Sequence, residues 1–263
     1  MYKIVFYLIF FSASLCAYID DDMDGVPNSD DKCANTPLTD LVDLSGCTIE
    51  KLIAPKHHFD IVLGQSYSKE SNSSLNLSSI RLDYYYQAWS FQLATSYYKS
   101  KFLTQTDTGQ TDTYLNLFYL VKPFKNFYLN IGGGIVLPTY DSADNKIDYT
   151  ASLYGHYKWD KLSLILGAGY RKIGDSNSEN IISYNNTLSY NTGLGYSWNS
   201  KLYTSIGYAK VNSIFEGYDD LETLSFYTYY GIDEHWFSNL NYRYGLRTNN
   251  GQKTIGVNLG YYW

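Results

Sequence analysis

The chain ends in Thr254-Ile-Gly-Val-Asn-Leu-Gly-Tyr-Tyr-Trp263, a stretch in which apolar and polar residues alternate. Every second residue counted back from Trp263 is apolar or aromatic, and the residues between them are small or polar apart from Tyr262. Successive side chains of a β-strand point to opposite faces. The stretch therefore predicts a strand with one apolar face and one polar face.

The same alternation, broken by turn residues, recurs from His58 to the end of the chain. It predicts twelve strands, at 58–68, 76–87, 89–100, 111–122, 127–138, 147–159, 161–172, 181–198, 201–211, 221–232, 235–246 and 253–263. Five connections are tight, around Ala88, Lys122–Asn126, Asp160, Asn199-Ser200 and Asp233-Glu234. Six are longer and polar, at Lys69–Ser74, Lys101–Gln110, Tyr140–Lys146, Ile173–Asn180, Asn212–Asp220 and Arg247–Gln252. The two kinds alternate, so one end of the sheet carries short turns and the other carries loops.

Aromatic residues mark the predicted ends of the strands. The five tryptophans each lie beside a tight connection or at the C-terminus: Trp89, Trp159, Trp198, Trp236 and Trp263. Thirty of the 263 residues are tyrosine, whose apolar ring and polar hydroxyl suit a membrane–water interface. Mean hydropathy is only −0.31, but alternation hides an apolar face from averaging windows.

Together these features resemble a bacterial outer-membrane β-barrel. The resemblance implies an all-β fold, with an antiparallel transmembrane barrel of about twelve strands over residues 58–263 and outer-membrane lipid around it. It also implies that the tight turns and both ends of the barrel lie on the periplasmic side. A soluble β-sandwich would alternate too, but it would not align every tryptophan at one end.

The N-terminal residues have a different character. Residues 1–17 carry one lysine, an apolar run and a small-residue exit, which predicts a secretory signal peptide cleaved after Ala17. Cys16 offers the alternative of a lipoprotein, although Leu15 is large for that processing. Cleavage leaves Cys33 and Cys47, and an even pair in an exported chain predicts a disulfide that closes a loop of about 15 residues. Residues 51–57 are a predicted linker.

The segment 18–50 is rich in aspartate and contains the spacing of a calcium-binding loop. Six residues match the ligand positions of such a loop: Asp20, Asp22, Asp24, Val26 through its carbonyl, Asn28 and Asp31. Gly25 matches the position of the sharp turn. Together with Cys33 and Cys47, the segment resembles a single thrombospondin type 3 repeat. The resemblance implies a Ca²⁺-binding, disulfide-closed module, and the topology would place it in the periplasm. The alternative is an acidic, solvated tail.

Alternation places a set of charged residues in the barrel lumen. They are Asp60, Arg81, Asp83, Asp148, His156, Lys158, Arg171 and Arg243. Such charges either line a narrow aqueous pore or pair across the lumen and plug it. Lumen glycines such as Gly167, Gly195 and Gly260 favour open space, whereas inward tyrosines such as Tyr85 and Tyr154 favour a filled interior.

These observations favour a narrow passive diffusion channel for small polar solutes, or a structural barrel. The alternative is a membrane-anchored module that docks through calcium to a periplasmic partner or to peptidoglycan. A lipid-modifying barrel enzyme is less favoured, because such chemistry needs a serine beside an oriented histidine. None of the four histidines is predicted near the outer leaflet, and we expect no enzymatic activity. A net charge of −6 provides no basic face for nucleic acid.

Overall fold

The computed structural model describes residues 22, 26, 28–36, 40–51, 57–142, 145–175, 183–246 and 252–263. The chain divides into two compact units, residues 1–56 and 57–263. The predicted signal peptide, Asp20, Asp24 and most of the predicted linker lie outside the described residues. No helix in the described part of the chain is long and apolar enough to cross a membrane.

The second unit is an antiparallel barrel. Its strands are β3 (His57–Glu70), β4 (Ser73–Tyr86), β5 (Trp89–Phe102), β6 (Gln105–Gln110), β7 (Thr113–Phe124), β8 (Phe127–Leu137), β9 (Asp148–Trp159), β10 (Leu162–Lys172), β11 (Thr187–Ser197), β12 (Leu202–Val211), β13 (Leu221–Gly231), β14 (Trp236–Gly245) and β15 (Lys253–Tyr262). Neighbouring strands pair in sequence order, and β15 pairs with β3 over ten residues to close the wall. Because β6 and β7 pair with successive parts of β5, the described residues form a closed barrel of twelve strands.

The register keeps the two faces apart around the whole wall. Leu63 lies opposite Ile80 and Leu259, and Leu153 lies opposite Ile131 and Ala168. The outward positions form a belt of exposed apolar side chains, which suits lipid rather than water. The inward positions carry the polar and charged residues together with a few apolar ones such as Val62 and Phe237. The alternation predicted from the sequence is therefore present in the barrel wall, although β6 is polar on both faces.

The apolar belt is bounded by different aromatic residues at its two ends. All five tryptophans face outward at the end that carries the chain ends of the barrel. Outward tyrosines mark the opposite end: Tyr67, Tyr97, Tyr149, Tyr170, Tyr190 and Tyr244. Trp89 and Tyr97 on β5 are eight residues apart, roughly 27 Å along the strand, which suits the apolar band of a tilted outer-membrane strand.

Two of the six predicted outer loops are wrong. The stretch Lys69–Ser74 contains only a two-residue turn, Ser71-Asn72, because Lys69 and Ser74 pair with each other in the β3–β4 hairpin. The stretch Lys101–Gln110 is mostly strand, since β6 pairs with the outer part of β5. A hairpin that extends past the membrane can be polar on both faces, so polar residues alone do not indicate a loop there.

A third correction concerns β11, which the sequence places at 181–198. The regular strand begins at Thr187, and residues 181–182 lie outside the described part. Before it, Tyr184 forms an isolated bridge with Phe215 of the β12–β13 loop. Two backbone hydrogen bonds support the bridge, from Asn185 N to Ile214 O (2.8 Å) and from Glu216 N to Ser183 O (3.0 Å).

The first unit contains a short hairpin of β1 (Asp40–Val42) and β2 (Thr48–Lys51). The disulfide Cys33–Cys47 predicted from the sequence is present, with 5.0 Å between the two Cα atoms. Buried Thr36 donates its hydroxyl to Cys33 O (2.7 Å) and Gly46 O (2.8 Å). Asp43 closes the turn by accepting hydrogen bonds from the hydroxyl and backbone of Ser45 and from Cys47 N.

Candidate lumen site

The lumen carries three cavities along or beside the wall formed by β3, β4, β13, β14 and β15. The largest, about 500 Å³, is lined by Asp60, Arg81, Arg243, three asparagines and several aromatic rings. A second, about 250 Å³, lies between Arg81, Ser79 and Tyr114. A third, about 210 Å³, lies near Arg243 and Gln252. Arg81 and Arg243 each line two of these cavities, so they connect the polar space along the wall.

Arg81 and Asp83 form an ion pair in the half of the lumen nearer the tryptophans. Arg81 Nε donates to Asp83 Oδ2 at 2.7 Å, and Gln92 Nε2 donates to Asp83 Oδ1 at 2.8 Å. Asn116 in turn donates to Gln92 at 3.2 Å. The chain of bonds runs across β4, β5 and β7 and holds the buried Asp83 carboxylate with both oxygens occupied.

Asp60 lies directly opposite Asp83 in the β3–β4 ladder and is also buried, with 5% of its surface exposed. Its Oδ1 atom has no hydrogen-bond partner. His58 Nε2 lies 3.7 Å from this oxygen, and the His58 ring stacks on Tyr85 at 4.2 Å between ring centroids. The two aspartates therefore have different surroundings: both oxygens of Asp83 are hydrogen-bonded, whereas Oδ1 of Asp60 is not.

Aromatic rings line the same cavity toward the end of the barrel that carries the tryptophans. The hydroxyls of Tyr229 and Tyr262 are 2.7 Å apart, and the Phe237 ring stacks on both tyrosines at 5.6 and 4.5 Å. Gly260 permits this arrangement, because a Cβ there would overlap the Phe237 ring. A Cβ at Gly195 would likewise overlap Tyr203. These lumen glycines accommodate neighbouring rings, so the expectation that they mark open space is wrong.

A second ion-pair cluster ties the loops at the tyrosine end to the wall. Only 2% of Asp148 is exposed. Its carboxylate accepts hydrogen bonds from Arg171 Nε and from Gly174 N, each at 2.6 Å, and it forms an ion pair with Arg171 Nη2 at 2.5 Å. Arg171 also lies 3.9 Å from Asp112 and 3.5 Å from the Tyr114 hydroxyl. The cluster neutralises Arg171 and fixes the start of the β10–β11 connection.

Asp112 extends this cluster to the β8–β9 loop. It stands at the break between β6 and β7, and its Oδ1 accepts hydrogen bonds from Tyr140 N (3.1 Å) and Asn145 Nδ2 (2.7 Å). The lumen set predicted from the sequence does not contain Asp112. Alternation was the available signal, because Asp112 lies two residues before Tyr114 and falls on the same face of the predicted strand 111–122.

The remaining predicted lumen residues have no comparable pairing. Arg243 is exposed to the cavities and forms no ion pair with a carboxylate in the described part of the chain. His156 faces inward near Tyr128, and its Nε2 atom is buried without a hydrogen-bond partner. Lys158 is exposed at the tryptophan end of β9.

The predicted calcium ligands are only partly within the described residues. Asp22 Oδ2 accepts a hydrogen bond from Thr36 N, and Asp31 Oδ1 accepts one from Cys33 N, each at 2.7 Å. Among described residues, no group of three His, Cys, Asp or Glu side chains is placed to hold a metal ion, and Asp20 and Asp24 are not among them. Calcium binding stays a prediction from the sequence.

Comparison with known proteins identifies the fold. No protein-family model matches the chain, and no curated protein sequence matches it. In structure it is similar to the NanC porin, with 12% identity, a TM-score of 0.56, and coverage of 76% of this chain and 98% of NanC. The KdgM porin in complex with disordered oligogalacturonate shares 14% identity, with a TM-score of 0.52 and coverage of 77% and 98%. The translocator domain of autotransporter NalP from Neisseria meningitidis shares 13% identity, with a TM-score of 0.50 and coverage of 79% and 88%. The barrel thus has a fold found in bacterial outer-membrane porins.

Proposed function

We propose that this protein is a passive diffusion channel of the bacterial outer membrane for small polar solutes. The observation that carries the proposal is the 500 Å³ cavity in the polar lumen, bordered by Arg243 and asparagine side chains. Lumen side chains that pack against each other leave no such space, whereas a cavity bordered by polar groups suits a hydrated solute. The complex of KdgM with oligogalacturonate adds support, since it joins a polar solute to a barrel of this fold.

The pairing of the lumen charges suggests weak charge selectivity over most of the channel. Arg81 is bonded to Asp83, and Arg171 is bonded to Asp148, so each pair contributes little net field to the lumen. The belt of exposed apolar residues between the tryptophan and tyrosine ends supports an outer-membrane location. With the short turns in the periplasm, the N-terminal unit would precede the barrel on that side.

Single-channel conductance of the refolded mature protein in a planar bilayer tests the proposal. We expect stable current steps, and Ser225→Trp should reduce them because Ser225 lines the large cavity. Ser238→Trp is the matched control, since Ser238 pairs with outward Leu259 and its side chain lies on the lipid side of the adjacent strand. Absence of current from the folded wild-type barrel would contradict the channel and favour a plugged barrel that serves as an anchor.

A further inference from the structure

The buried carboxylate of Asp60 is only partly satisfied by the ion pairs and hydrogen bonds of the lumen. With 5% of the residue exposed, its Oδ1 atom still finds no hydrogen-bond donor. A buried carboxylate oxygen normally has at least one donor or a cation, because removing the charge from water is costly. The Tyr85 hydroxyl interacts with the same carboxylate, yet Oδ1 remains without a hydrogen-bond partner.

The neighbours of Asp60 are already committed elsewhere. Arg81 borders the same cavity, and its guanidinium donates to Asp83 at 2.7 Å. His58 Nε2 is at 3.7 Å, beyond hydrogen-bond distance. Asp60 and Asp83 lie directly opposite each other across two strands, an arrangement in which like charges repel. Apart from His58, two carboxylates and one guanidinium meet at this point, so the carboxylates outnumber the guanidinium by one.

Asp60 borders a space large enough for a ligand. It lines the 500 Å³ cavity, and Asn241 on the same cavity also has a buried Oδ1 without a hydrogen-bond partner. Both unpaired atoms are acceptors, so a ligand that satisfies them must donate hydrogen bonds or carry positive charge. The rings of Tyr85 and Tyr262 also line this cavity, and the face of an aromatic ring attracts a cation.

From this geometry we infer that Asp60 forms a cation-binding subsite near the periplasmic end of the lumen. The ligand is a small monovalent cation, either an alkali ion or the primary ammonium group of a permeating solute. The inference deepens the proposed channel function and rests on it, because it assigns the sign of the charge that the inner part of the lumen attracts. Arg243 contributes the opposite charge at the far end of the same cavity, where it borders the third cavity as well.

The test is the reversal potential of the channel in a KCl gradient. We expect the wild type to favour K⁺ over Cl⁻, and Asp60→Asn to lower this permeability ratio about fivefold, as expected for loss of one charge about 4 Å from the ion in a watery site. Asp107→Asn is the matched control: it removes the same charge from exposed β6 at the other end of the barrel, and the ratio should not change. A ratio unaffected by Asp60→Asn in a conducting channel overturns the inference.

Two further measurements identify the ligand and distinguish a failure of the subsite from a failure of the channel proposal. Block of K⁺ current by methylammonium chloride in the wild type, lost in Asp60→Asn, assigns the subsite to solute ammonium groups; K⁺ preference without block assigns it to alkali ions. Crystals soaked in RbCl should show anomalous density beside Asp60 Oδ1. If the barrel conducts no current, the channel proposal fails, and absence of Rb⁺ density at Asp60 then overturns the subsite too.

Discussion

At the scale of single residues, Asp148 is the carboxylate whose removal should cost most. It is 2% exposed and holds Arg171 and the amide of Gly174 together. Removing one member of a buried ion pair leaves the other charge uncompensated. Because 27% of the Arg171 side chain is exposed, we expect the loss of stability to be smaller than for a fully buried ion pair. Asp148→Ala should lower the free energy of unfolding by about 2 kcal/mol, measured by urea unfolding in detergent.

The control for Asp148 lies in the adjoining loop. Asp141→Ala removes an exposed carboxylate of the β8–β9 connection and should change stability by less than about 0.5 kcal/mol. Equal losses from both substitutions would mean that the Asp148–Arg171 cluster does not stabilise the barrel.

Asp43 provides a prediction about pH at the same scale. Hydrogen bonds from the Ser45 hydroxyl, the Ser45 amide and the Cys47 amide lower the pKa of the Asp43 carboxyl below its ordinary value of 3.8. Its contribution to the turn is therefore complete above pH 3.8 and is lost as pH falls through the lowered pKa. We expect Asp43→Ala to accelerate hydrogen exchange of the Cys47 amide at pH 6. The difference from wild type should disappear once the pH is below the lowered pKa of Asp43. Asp30→Ala, an exposed change in the same unit, should have no effect; a difference independent of pH would contradict the account.

At the scale of elements, the bridge between the β10–β11 and β12–β13 connections extends a hairpin beyond the barrel wall. Phe215 lies between the rings of Tyr184 and Tyr218, with centroids at 5.7 and 5.9 Å. Each aromatic pair contributes about 0.5–1.5 kcal/mol, so Phe215→Ala should accelerate exchange of the Asn185 and Glu216 amides roughly tenfold and leave the β11–β12 amides unchanged. Tyr218→Ala removes only one contact and should have a smaller effect. Equal protection in wild type and Phe215→Ala would show that the backbone hydrogen bonds hold the bridge alone.

At the scale of the whole molecule, alternation predicts the barrel well because lipid and lumen impose opposite demands on successive residues. That constraint ends where the strands leave the membrane, which is why the sequence misassigned Lys69–Ser74 and Lys101–Gln110 as loops and started β11 too early. Alternation offers candidate lumen residues, but it does not predict how they pair. Arg81 shares a face with Asp83, two residues further along β4, and the β3–β4 register brings Asp60 to the same face, so alternation alone does not choose between the two carboxylates.

The division of the chain into two units supports a last prediction, that calcium binding and barrel assembly are separable. The residues predicted to bind calcium lie in the unit of residues 1–56, whereas the barrel closes through contacts between β3 and β15 of the other unit. In the mature full-length protein, Asp22→Asn together with Asp24→Asn should abolish calcium binding measured by titration calorimetry, because a hard cation needs several anionic oxygens. Asn at position 22 keeps an oxygen that can accept the hydrogen bond from Thr36.

Asp43→Asn, outside the predicted ligand set, should bind calcium as the wild type does. Heat-dependent mobility in gels should show a folded barrel in every variant; unchanged calcium binding would refute the ligand set, and loss of the folded barrel would refute the independence of the two units.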